Sequence, residues 1–431
     1  MTITLIVAAV EVEPGWAVGA VPLADPVVDR DLLLDASGQP WIPGCSLAGS
    51  LRAHLAAAEP PADVRIMGGR PPRNQAQAAQ STVSPLWVLG AVFTPHPAAG
   101  GGGAQATVET VGQTAVDRIR GAAAPGSLRI SRVVGTGGNL TVYMRHDSVA
   151  DPLSADDLEL IADWQPAIGR DRTRGGGRAS LTQLHHGTID PATRDGATTW
   201  LTHTGVSLFD AVATHAVATQ TIARTHDDKA WLEEEFEIAD GLLIGASSTG
   251  PVARSRRRGA RPLIPGSAWK GVIRSRVEFI IRSRYGDDAA CQQQTGCGTC
   301  VVCAVFGHQG QRGVLAFRDS RIEDSAPETE CTHVGIDRVT GGAKDALLFK
   351  TAPVRGGHLR LRIDALGRVE PWVRNTLGHV LRDMHDGLVG VGSRSTQGLG
   401  TLRLTNPLGK LEPVIIPRLE SADDKEPRDD R

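Results

Sequence analysis

The sequence repeats itself, and this repeat limits the folds open to the chain more than any other feature does. Three pairs of segments align: 41–55 with 263–277, 114–128 with 334–347, and 168–181 with 391–404. The spacings are 222 residues between Ile42 and Ile264, 220 between Asp117 and Asp337, and 223 between Gly169 and Gly392. Three anchors at nearly one offset indicate a tandem duplication, with the boundary near residues 205–228.

A length of 431 residues also exceeds what a single hydrophobic core usually supports, which agrees with two domains. The predicted organisation is a first domain at 1–205, a linker at 206–228, a second domain at 229–410 and a flexible, mixed-charge tail at 411–431.

Each copy follows the same order of elements. A strand opens it (ITLIVAAVEV or LEEEFEIADGLLIG), and a loop leads to Ile-Pro-Gly and a helix. In the second helix Trp269, Ile273, Val277 and Ile280 fall on one face, and Ser267 is the predicted N-cap. Strands with hairpin signals follow (GSLRISRVVGTGGNLTVYM and DALLFKTAPVRGGHLRLRI), then a late helix and a glycine-rich loop. This order predicts an α+β class with two tandem ferredoxin-like domains.

Four of the six cysteines lie within thirteen positions, spaced C-x5-C-x2-C-x2-C: Cys291, Cys297, Cys300 and Cys303. The overlapping CxxC steps let four thiolates close around one tetrahedral zinc ion, which would be structural because every ligand position is filled. His308 follows closely and is a candidate substitute ligand. Buried free thiols and an iron–sulfur cluster are the alternatives.

The cellular compartment decides between metal binding and disulfides. The N-terminal apolar run lacks a basic region and breaks at Glu11 and Glu13, which is not the pattern of a secretory signal. No stretch approaches the length of about 18 uninterrupted apolar residues that a membrane span needs. We therefore expect a cytoplasmic protein without a membrane partner, where clustered cysteines usually bind metal.

Charge is unevenly distributed although the formal net charge is only −2. Basic residues cluster at 169–178 and 254–261. With seven Phe and two Tyr residues, aromatic platforms for stacked bases are scarce. A bound nucleic acid would therefore be held mainly through its phosphate backbone.

The combination of these motifs resembles the RAMP proteins. The matching motifs are IPGSAWKGVIRS at 264–275, the cysteine cluster that runs into VFG at 305–307, IDRVTGGA at 336–343 and GLG at 398–400. The resemblance covers about 5–185 and 231–405. It implies two RRM-like RAMP domains with thumb hairpins and a zinc finger in the second, like the fused Cas-seven-type backbone subunits of type III-D CRISPR complexes. The implied partners are crRNA, target RNA and other type III effector subunits.

Helix N-termini and glycine-rich loops supply candidate phosphate contacts. Gly44 and Gly266 precede the two helices, whose free N–H groups and dipole favour an anion. Arginines beside close-approach glycines make a second kind of phosphate contact. Simple helix-start turns, tight turns and a solvated basic loop are the alternatives. The predicted contacts of these kinds are Gly44, Ser46, Arg52, Arg170, Arg172, Arg174, Arg178, Arg254, Gly266, Ser267, Lys270, Arg274 and Arg394.

In the RAMP family, the hairpin after each Asp-Arg pair forms a thumb that wedges the guide–target duplex and displaces a base. Residues 117–145 and 337–362 correspond to this hairpin. The resemblance implies that Arg118 and Arg338 contact RNA near the displaced nucleotide. Salt bridges within each Asp-Arg pair are the alternative.

Family members that cut target RNA carry an aspartate on the loop before Ile-Pro-Gly. Asp25 is the nearest match, Asp29 and Asp31 are the fallback candidates, and the second copy has Thr249 and Gly250 there and is not expected to cut. Such a carboxylate would act as a base toward a ribose 2′-hydroxyl or help to bind Mg²⁺ or Mn²⁺. Two other functions stay open: a non-catalytic RNA-binding scaffold, and an endoribonuclease that processes CRISPR RNA. The guide sequence, the exact subtype, the stoichiometry and the neighbouring subunits are not encoded in these motifs.

Overall fold

A computed structural model of the chain describes residues 2–20, 27–69, 83–97, 105–118, 120–148, 152–213, 219–225, 230–245, 251–293 and 295–416. The chain divides into two units. Unit one comprises Met1–Glu109, Arg132–Arg172 and Gly176–Asp228, and unit two comprises Thr110–Ser131, Thr173–Gly175 and Lys229–Arg431. Two short segments from the N-terminal half of the sequence therefore belong to unit two.

The elements of the N-terminal half are β1 Thr2–Val12, β2 Gly19–Ala20, β3 Asp31–Leu32, α1 Gly44–Ala56, α2 Asp63–Met67, β4 Leu86–Pro95, β5 Val108–Gln113, β6 Arg129–Val134, β7 Gly138–Ser148, α3 Ala155–Ala162, β8 Ala179–Ile189, α4 Arg194–Thr202, α5 Val206–Ala213 and β9 Thr219–Ala223. Within the described ranges, unit one is built on an antiparallel sheet in the order β4-β7-β1-β8-β9.

Strand β1 lies at the centre of this sheet and is buried on both faces, which explains its nearly continuous apolar sequence. Ile6 and Val10 pack into the same core as Leu51 of α1. Leu5, on the opposite face, packs with Phe209 of α5. Residues 206–228, expected to be a linker, thus contain a helix that covers β1 and a strand, β9, that pairs with β8.

The elements of the C-terminal half are β10 Leu232–Ile238, β11 Val252–Arg254, β12 Arg257–Arg258, β13 Arg261–Ile264, α6 Gly266–Tyr285, α7 Val301–Phe306, β14 Gly307–His308, β15 Gln311–Arg312, β16 Leu315–Phe317, β17 Ser320–Glu323, β18 Cys331–Ile336, β19 Ala343–Ala352, β20 His358–Ala365, α8 Pro371–His385 and β21 Leu402–Leu404. The main sheet runs β12-β13-β17-β20-β10-β21, with β16 also paired to β20, and β11, β19 and β18 form a second sheet.

Helix α6 packs against the main sheet of unit two as the apolar spacing predicted. Trp269, Ile273 and Val277 are buried in one core with α8 and β10, and Ile280 is partly buried beside them. The predicted N-cap is wrong, because the helix begins at Gly266 after Pro265 and has no side-chain cap from Ser267.

The core of unit two also receives part of the predicted tail. Within residues 411–416, Val414 and Ile416 are buried with α6 and α8. The Ile416 N–H donates to the Tyr285 hydroxyl over 2.9 Å.

The two segments predicted as hairpins contain the expected strands, but those strands do not pair with each other. In the first segment β6 pairs with β5, whereas β7 pairs with β1 and β4. In the second, β19 pairs with β18 and β11, whereas β20 pairs with β10, β16 and β17. The glycines between the strands therefore mark a passage from one sheet to another. The α+β class is confirmed in both units.

Candidate metal centre and nucleic-acid interface

Four cysteine thiols converge in unit two. Cys300 is the N-cap of α7 and Cys303 lies in its first turn, while Cys291 and Cys297 precede the helix. All four Sγ atoms lie within 4.8 Å of one another, with separations of 3.6, 3.8 and 4.0 Å for three of the pairs. Tetrahedral zinc with bonds of about 2.3 Å places its sulfur ligands about 3.8 Å apart. The cysteine geometry therefore fits a closed, structural zinc site.

Hydrogen-bond donors surround these sulfur atoms. The N–H of Cys297 lies 3.4 Å from Cys291 Sγ, and the N–H of Cys300 lies 3.3 Å from Cys297 Sγ. The Thr299 hydroxyl, more than any other contact, lowers the pKa of Cys297 to about 5. Burial instead raises the pKa of Cys300 to about 12. Four thiolates therefore need a cation to coexist here, and a zinc ion would supply that charge.

Arg274 reaches the cluster from α6 although the sequence pattern assigned it to RNA. Its Nη2 donates to Cys303 Sγ over 3.3 Å, and its Nη1 donates to the Gly307 carbonyl over 2.7 Å. Its Nε donates to Glu278 Oε1 over 2.9 Å. Burial alone would lower the pKa of Arg274, but the hydrogen bond and charge of Glu278, together with the charges of Cys303 and Cys291, outweigh burial and the pKa is raised. The guanidinium is thus part of the interior of unit two.

Arg118, in the segment 110–131, binds Glu278 as Arg274 does. Its Nη1 donates to Glu278 Oε1 over 2.8 Å and to the Gln293 carbonyl over 3.0 Å. Glu278 has a side-chain exposure of 0%, and Arg118 one of 14%. A buried carboxylate is costly unless it is paired, and here two guanidinium groups share it.

His308 was expected as a substitute zinc ligand. Its Nδ1 lies 2.8 Å from the Gln309 carbonyl oxygen, and its Nε2 lies 3.3 Å from Gln311 Oε1. The compact ligand group within the described residues consists of the four cysteines.

The two helix N-termini expected to hold phosphate are closely packed in the structure. The Gly266 N–H donates to Asp319 Oδ1 over 2.7 Å, so an anion from the chain itself occupies this position. Asp319 also forms an ion pair of 2.8 Å with Arg258. A Cβ at Gly266 would lie 2.1 Å from the Phe317 carbonyl oxygen, and a Cβ at Gly44 would lie 2.2 Å from that of Val88. Both glycines are therefore required for packing against a strand.

Other predicted contacts on these helices differ in their surroundings. Arg52 donates from Nη1 to the Gly68 carbonyl and from Nη2 to the Met67 carbonyl, each over 2.9 Å, and so caps the end of α2. Lys270 Nζ donates to Thr173 Oγ1 over 2.9 Å. Ser46 is exposed and Ser267 half-buried.

The arginines of the glycine-rich loops differ in their surroundings. Burial lowers the pKa of Arg170, whose Nη1 donates to the Asp31 carbonyl over 3.1 Å. Arg178 forms an ion pair with Glu13. Arg172 is exposed, and Arg174 is half-buried.

In the second loop, Arg394 lies over an aromatic ring. Its Cζ is 4.5 Å from the Phe349 ring centroid, and the His333 ring stacks on the same phenylalanine at 5.0 Å. Arg394 adopts a left-handed backbone conformation with φ of 61°. Because Phe349 and His333 lie on β19 and β18, this stack connects the glycine-rich loop to the hairpin within unit two.

The basic run 254–261 is matched by carboxylates. Glu328 pairs with Arg254 over 3.0 Å and with Arg257 over 2.8 Å, and Glu330 pairs with Arg254 over 2.5 Å. Arg261 pairs with Glu323 over 3.0 Å. The run is therefore compensated in charge within unit two.

The two Asp-Arg motifs form the same turn. The N–H of Asp117 donates to the Ala122 carbonyl over 2.8 Å, and that of Asp337 donates to the Gly342 carbonyl over 2.9 Å. Gly121 and Gly341 close the two turns with φ of 63° and 68°, a left-handed conformation that favours glycine. The motif therefore lies at the turn of β18–β19 and not before a hairpin, and Arg338 is exposed there.

A salt bridge within each Asp-Arg pair was the alternative to RNA contact, and the structure gives these aspartates and Arg118 other partners. Asp117 pairs with Arg120 over 3.1 Å, whereas Arg118 pairs with Glu278. Asp337 accepts the N–H groups of Val339 and Thr340, each over 2.9 Å, and these bonds lower its pKa.

Of the three candidate catalytic aspartates, Asp25 lies outside the described residues. Asp29 is exposed. Asp31 accepts the Leu32 N–H over 2.8 Å and forms an ion pair of 3.0 Å with Arg132.

Sequence reasoning missed Glu278, Asp319 and the Phe349 stack. Glu278 could have been found as the i+4 partner of Arg274 on a helix face adjoining the apolar stripe. Asp319 is 53 residues from Gly266 in the sequence, and no local sequence pattern predicts a contact over that separation.

Comparison with known proteins bears on the second half of the sequence. Residues 238–403 match the family model of the RAMP superfamily. This stretch is therefore similar to a RAMP domain. It includes α6, the cysteine cluster, the β18–β19 hairpin and the second glycine-rich loop.

No curated protein matches the sequence. One similar solved structure is the cryo-EM structure of the Type III-B Cmr-beta bound to cognate target RNA, with 18% identity and a TM-score of 0.29. The match covers 40% of this chain and 58% of that chain, so the chain spans less than two thirds of that relative's length. Among the described residues, no helix combines the length and apolar character that crossing a bilayer requires.

Proposed function

We propose that this chain is a crRNA-binding backbone subunit of a type III CRISPR ribonucleoprotein, with two RAMP units in one polypeptide. The observation that carries the proposal is the match of residues 238–403 to the RAMP family model. Its partners are crRNA, target RNA and other subunits of the complex.

Local geometry supports the extension of the proposal to the first half. In unit one the Ile168 N–H donates to the Gly177 carbonyl over 3.0 Å, and in unit two the Val391 N–H donates to the Gly400 carbonyl over 2.9 Å. Both pairs are separated along the sequence by the same 223 residues (391 − 168 and 400 − 177). The two glycine-rich loops therefore each contain an equivalent hydrogen bond as well as a similar sequence, as expected of duplicated domains.

The β18–β19 hairpin has the properties expected of a wedge between nucleotides. Val334, Ile336 and Leu348 are exposed at 46%, 59% and 67%, which is unusual for large apolar side chains. Arg338 and Lys344 are exposed near its turn. Apolar side chains can separate bases while the cations hold the flanking phosphates.

The proposed phosphate contacts are two exposed cationic side chains, Arg172 and Arg338, and three partly exposed ones, Arg174, Lys270 and Arg394. Arg52, Arg118, Arg170 and Arg274 are proposed to stabilise the fold, because their guanidinium groups already bind carbonyl or carboxylate oxygens.

Charge reversal tests the proposal. Replacing Arg172 and Arg174 by glutamate should weaken crRNA binding for every spacer sequence and reduce the slope of log affinity against log salt by about 2, since each lost phosphate contact lowers it by about 1. Filter binding over a salt series gives both quantities, and sequencing the RNA that co-purifies with the chain identifies the natural ligand.

The control is Arg368→Glu, one charge reversal of the same kind on an exposed residue in the loop before α8, with half the charge change of the double variant. Unchanged binding by the double variant, or a strong preference for one spacer sequence, would contradict backbone-dominated crRNA binding.

A further inference from the structure

Arg118 is held in a socket made of the Glu278 carboxylate and the Gln293 carbonyl. Both oxygens accept from the same Nη1 atom, at 2.8 and 3.0 Å. Arg118 is part of the segment 110–131, which belongs to unit two although its neighbours in sequence, Glu109 and Arg132, belong to unit one. The socket is therefore a specific anchor for this segment in unit two.

Both walls of the socket depend on the cysteine cluster. Gln293 lies between Cys291 and Cys297 in sequence, so its carbonyl is positioned by the loop that these two cysteines close. Glu278 is held by Arg274 over 2.9 Å, and Arg274 in turn donates to Cys303 Sγ over 3.3 Å. Arg118 is thus connected to the cluster by two separate routes.

The second copy provides a natural comparison. Arg338 occupies the position equivalent to Arg118 at the offset of 220 residues (338 − 118), on a turn with the same hydrogen bonds. Arg338 is exposed, whereas Arg118 is engaged in the socket. The socket contacts therefore do not follow from the Asp-Arg turn itself.

We infer that metal occupancy of the cysteine cluster and docking of the segment 110–131 are coupled through Arg118. A bound zinc ion fixes the Cys291–Cys297 loop and thereby the Gln293 carbonyl, and the negative charge of four thiolates orients Arg274, which holds Glu278 for Arg118. Because such coupling is reciprocal in binding free energy, the docked segment also raises the affinity of the cluster for the metal, and we expect this tighter binding to appear as a slower loss of the metal. The inference does not depend on RNA binding.

Hydrogen exchange on the full chain tests the first direction. Removal of zinc by a chelator should speed amide exchange in 110–118 and 120–131 on the order of tenfold, within the usual range of coupling between sites. The unit-one strand β1 should exchange at an unchanged rate. Equal protection of the segment after verified zinc loss would overturn the inference.

Zinc release tests the second direction. Transfer of the ion to a chromogenic chelator should be on the order of tenfold faster from Arg118→Ala than from the unmodified chain, and intermediate from Arg118→Lys, which keeps one donor. Arg338→Ala, the repeat-equivalent control, should release zinc at the unmodified rate.

Two further outcomes are decided in advance. Release at the unmodified rate from folded Arg118→Ala overturns the inference. If chelation also speeds exchange in helix α8, unit two has unfolded as a whole, and the zinc-release rates of the Arg118 variants then test the inference. If Arg118→Ala does not fold, hydrogen exchange in the unmodified chain tests it instead.

Discussion

At the scale of single residues, several arginines that the sequence pattern assigned to RNA bind oxygen atoms of the protein itself. Arg52 caps α2 through two carbonyls, Arg170 donates to the Asp31 carbonyl, and Arg274 joins Glu278 to Cys303. Guanidinium offers five donors in a planar fork, which suits clustered protein oxygens as well as phosphate. Residue type alone therefore does not distinguish the two roles.

The cysteine cluster gives the first residue-scale prediction. Metal analysis of the purified chain should find about one zinc per chain, and Cys300→Ser should lose it, because a neutral hydroxyl is a poor replacement for a thiolate ligand. The melting temperature of unit two should fall with the metal content.

Cys45→Ser is the matched control, since Cys45 is an exposed free cysteine in α1. A well-folded chain without metal would contradict the zinc assignment.

The catalytic aspartate is a separate prediction. Should the first unit cut target RNA, Asp25→Ala is expected to leave RNA binding intact and abolish Mg²⁺- or Mn²⁺-dependent cleavage at one position, since the second copy offers Thr249 and Gly250 at the corresponding place. Asp31→Ala is a less informative change, because the ion pair of Asp31 with Arg132 gives it a structural role.

Assembled complexes with a defined target give the measurement. If Asp25→Ala cleaves as well as the unmodified complex, Asp29 becomes the candidate catalytic residue. If the unmodified complex does not cleave, the subunit is a scaffold.

At the scale of secondary-structure elements, the arginines around β11 to β13 have their positive charge partly neutralised by nearby carboxylates. Glu328, on the loop before β18, bonds to Arg254 at 3.0 Å and to Arg257 at 2.8 Å. RNA phosphates that approach these arginines must displace a carboxylate already in place. The carboxylate would therefore lower the affinity of this surface for the proposed RNA ligand.

Neutralising that carboxylate yields an element-scale prediction. Glu328→Gln should tighten RNA binding by up to about fivefold at low salt, equivalent to about 1 kcal/mol, the upper value for an exposed ion pair. The salt dependence should become steeper because two more cations are available to phosphate. Filter binding against Glu237→Gln, an exposed glutamate on β10, isolates the effect; weaker or equal binding by Glu328→Gln would contradict it.

The sequence predicted elements better than it predicted their partners. Local residue spacing was enough to predict helix α6 with its buried stripe, the strand β1 and the cysteine cluster. The pairing of β6 with β5 and of β19 with β18 could not, because strand partners are chosen by packing across the sheet. The socket of Arg118 joins residues 160 positions apart, and no periodicity encodes such a contact.

At the scale of the whole molecule, the two compact units do not coincide with the two copies of the sequence repeat. The segments 110–131 and 173–175 belong to unit two, although both lie in the first copy. The boundary read from the repeat, near 205–228, is therefore not a place where the chain can be divided into two complete units.

Dissection of the chain tests this point. A fragment comprising 229–431 lacks both segments and should unfold at a lower temperature, and lose zinc more readily, than the same residues in the full chain. A peptide of residues 110–131 added in trans should restore part of the zinc retention, whereas the same peptide carrying Arg118→Ala should not. Calorimetry with metal analysis gives the comparison; equal stability of the fragment and the intact chain would contradict the assignment of these segments to unit two.

The membership of segment 110–131 in unit two also has a consequence for the order of folding during synthesis. Arg118 leaves the ribosome 160 residues before its partner Glu278. At about 5–20 residues per second, this interval lasts roughly 8–32 s. During that time the segment 110–131 lacks its binding partner and is open to proteases and chaperones. Completion of unit two would therefore be a late event, and a zinc-binding cluster would make the supply of metal at the end of translation one determinant of how many chains reach it.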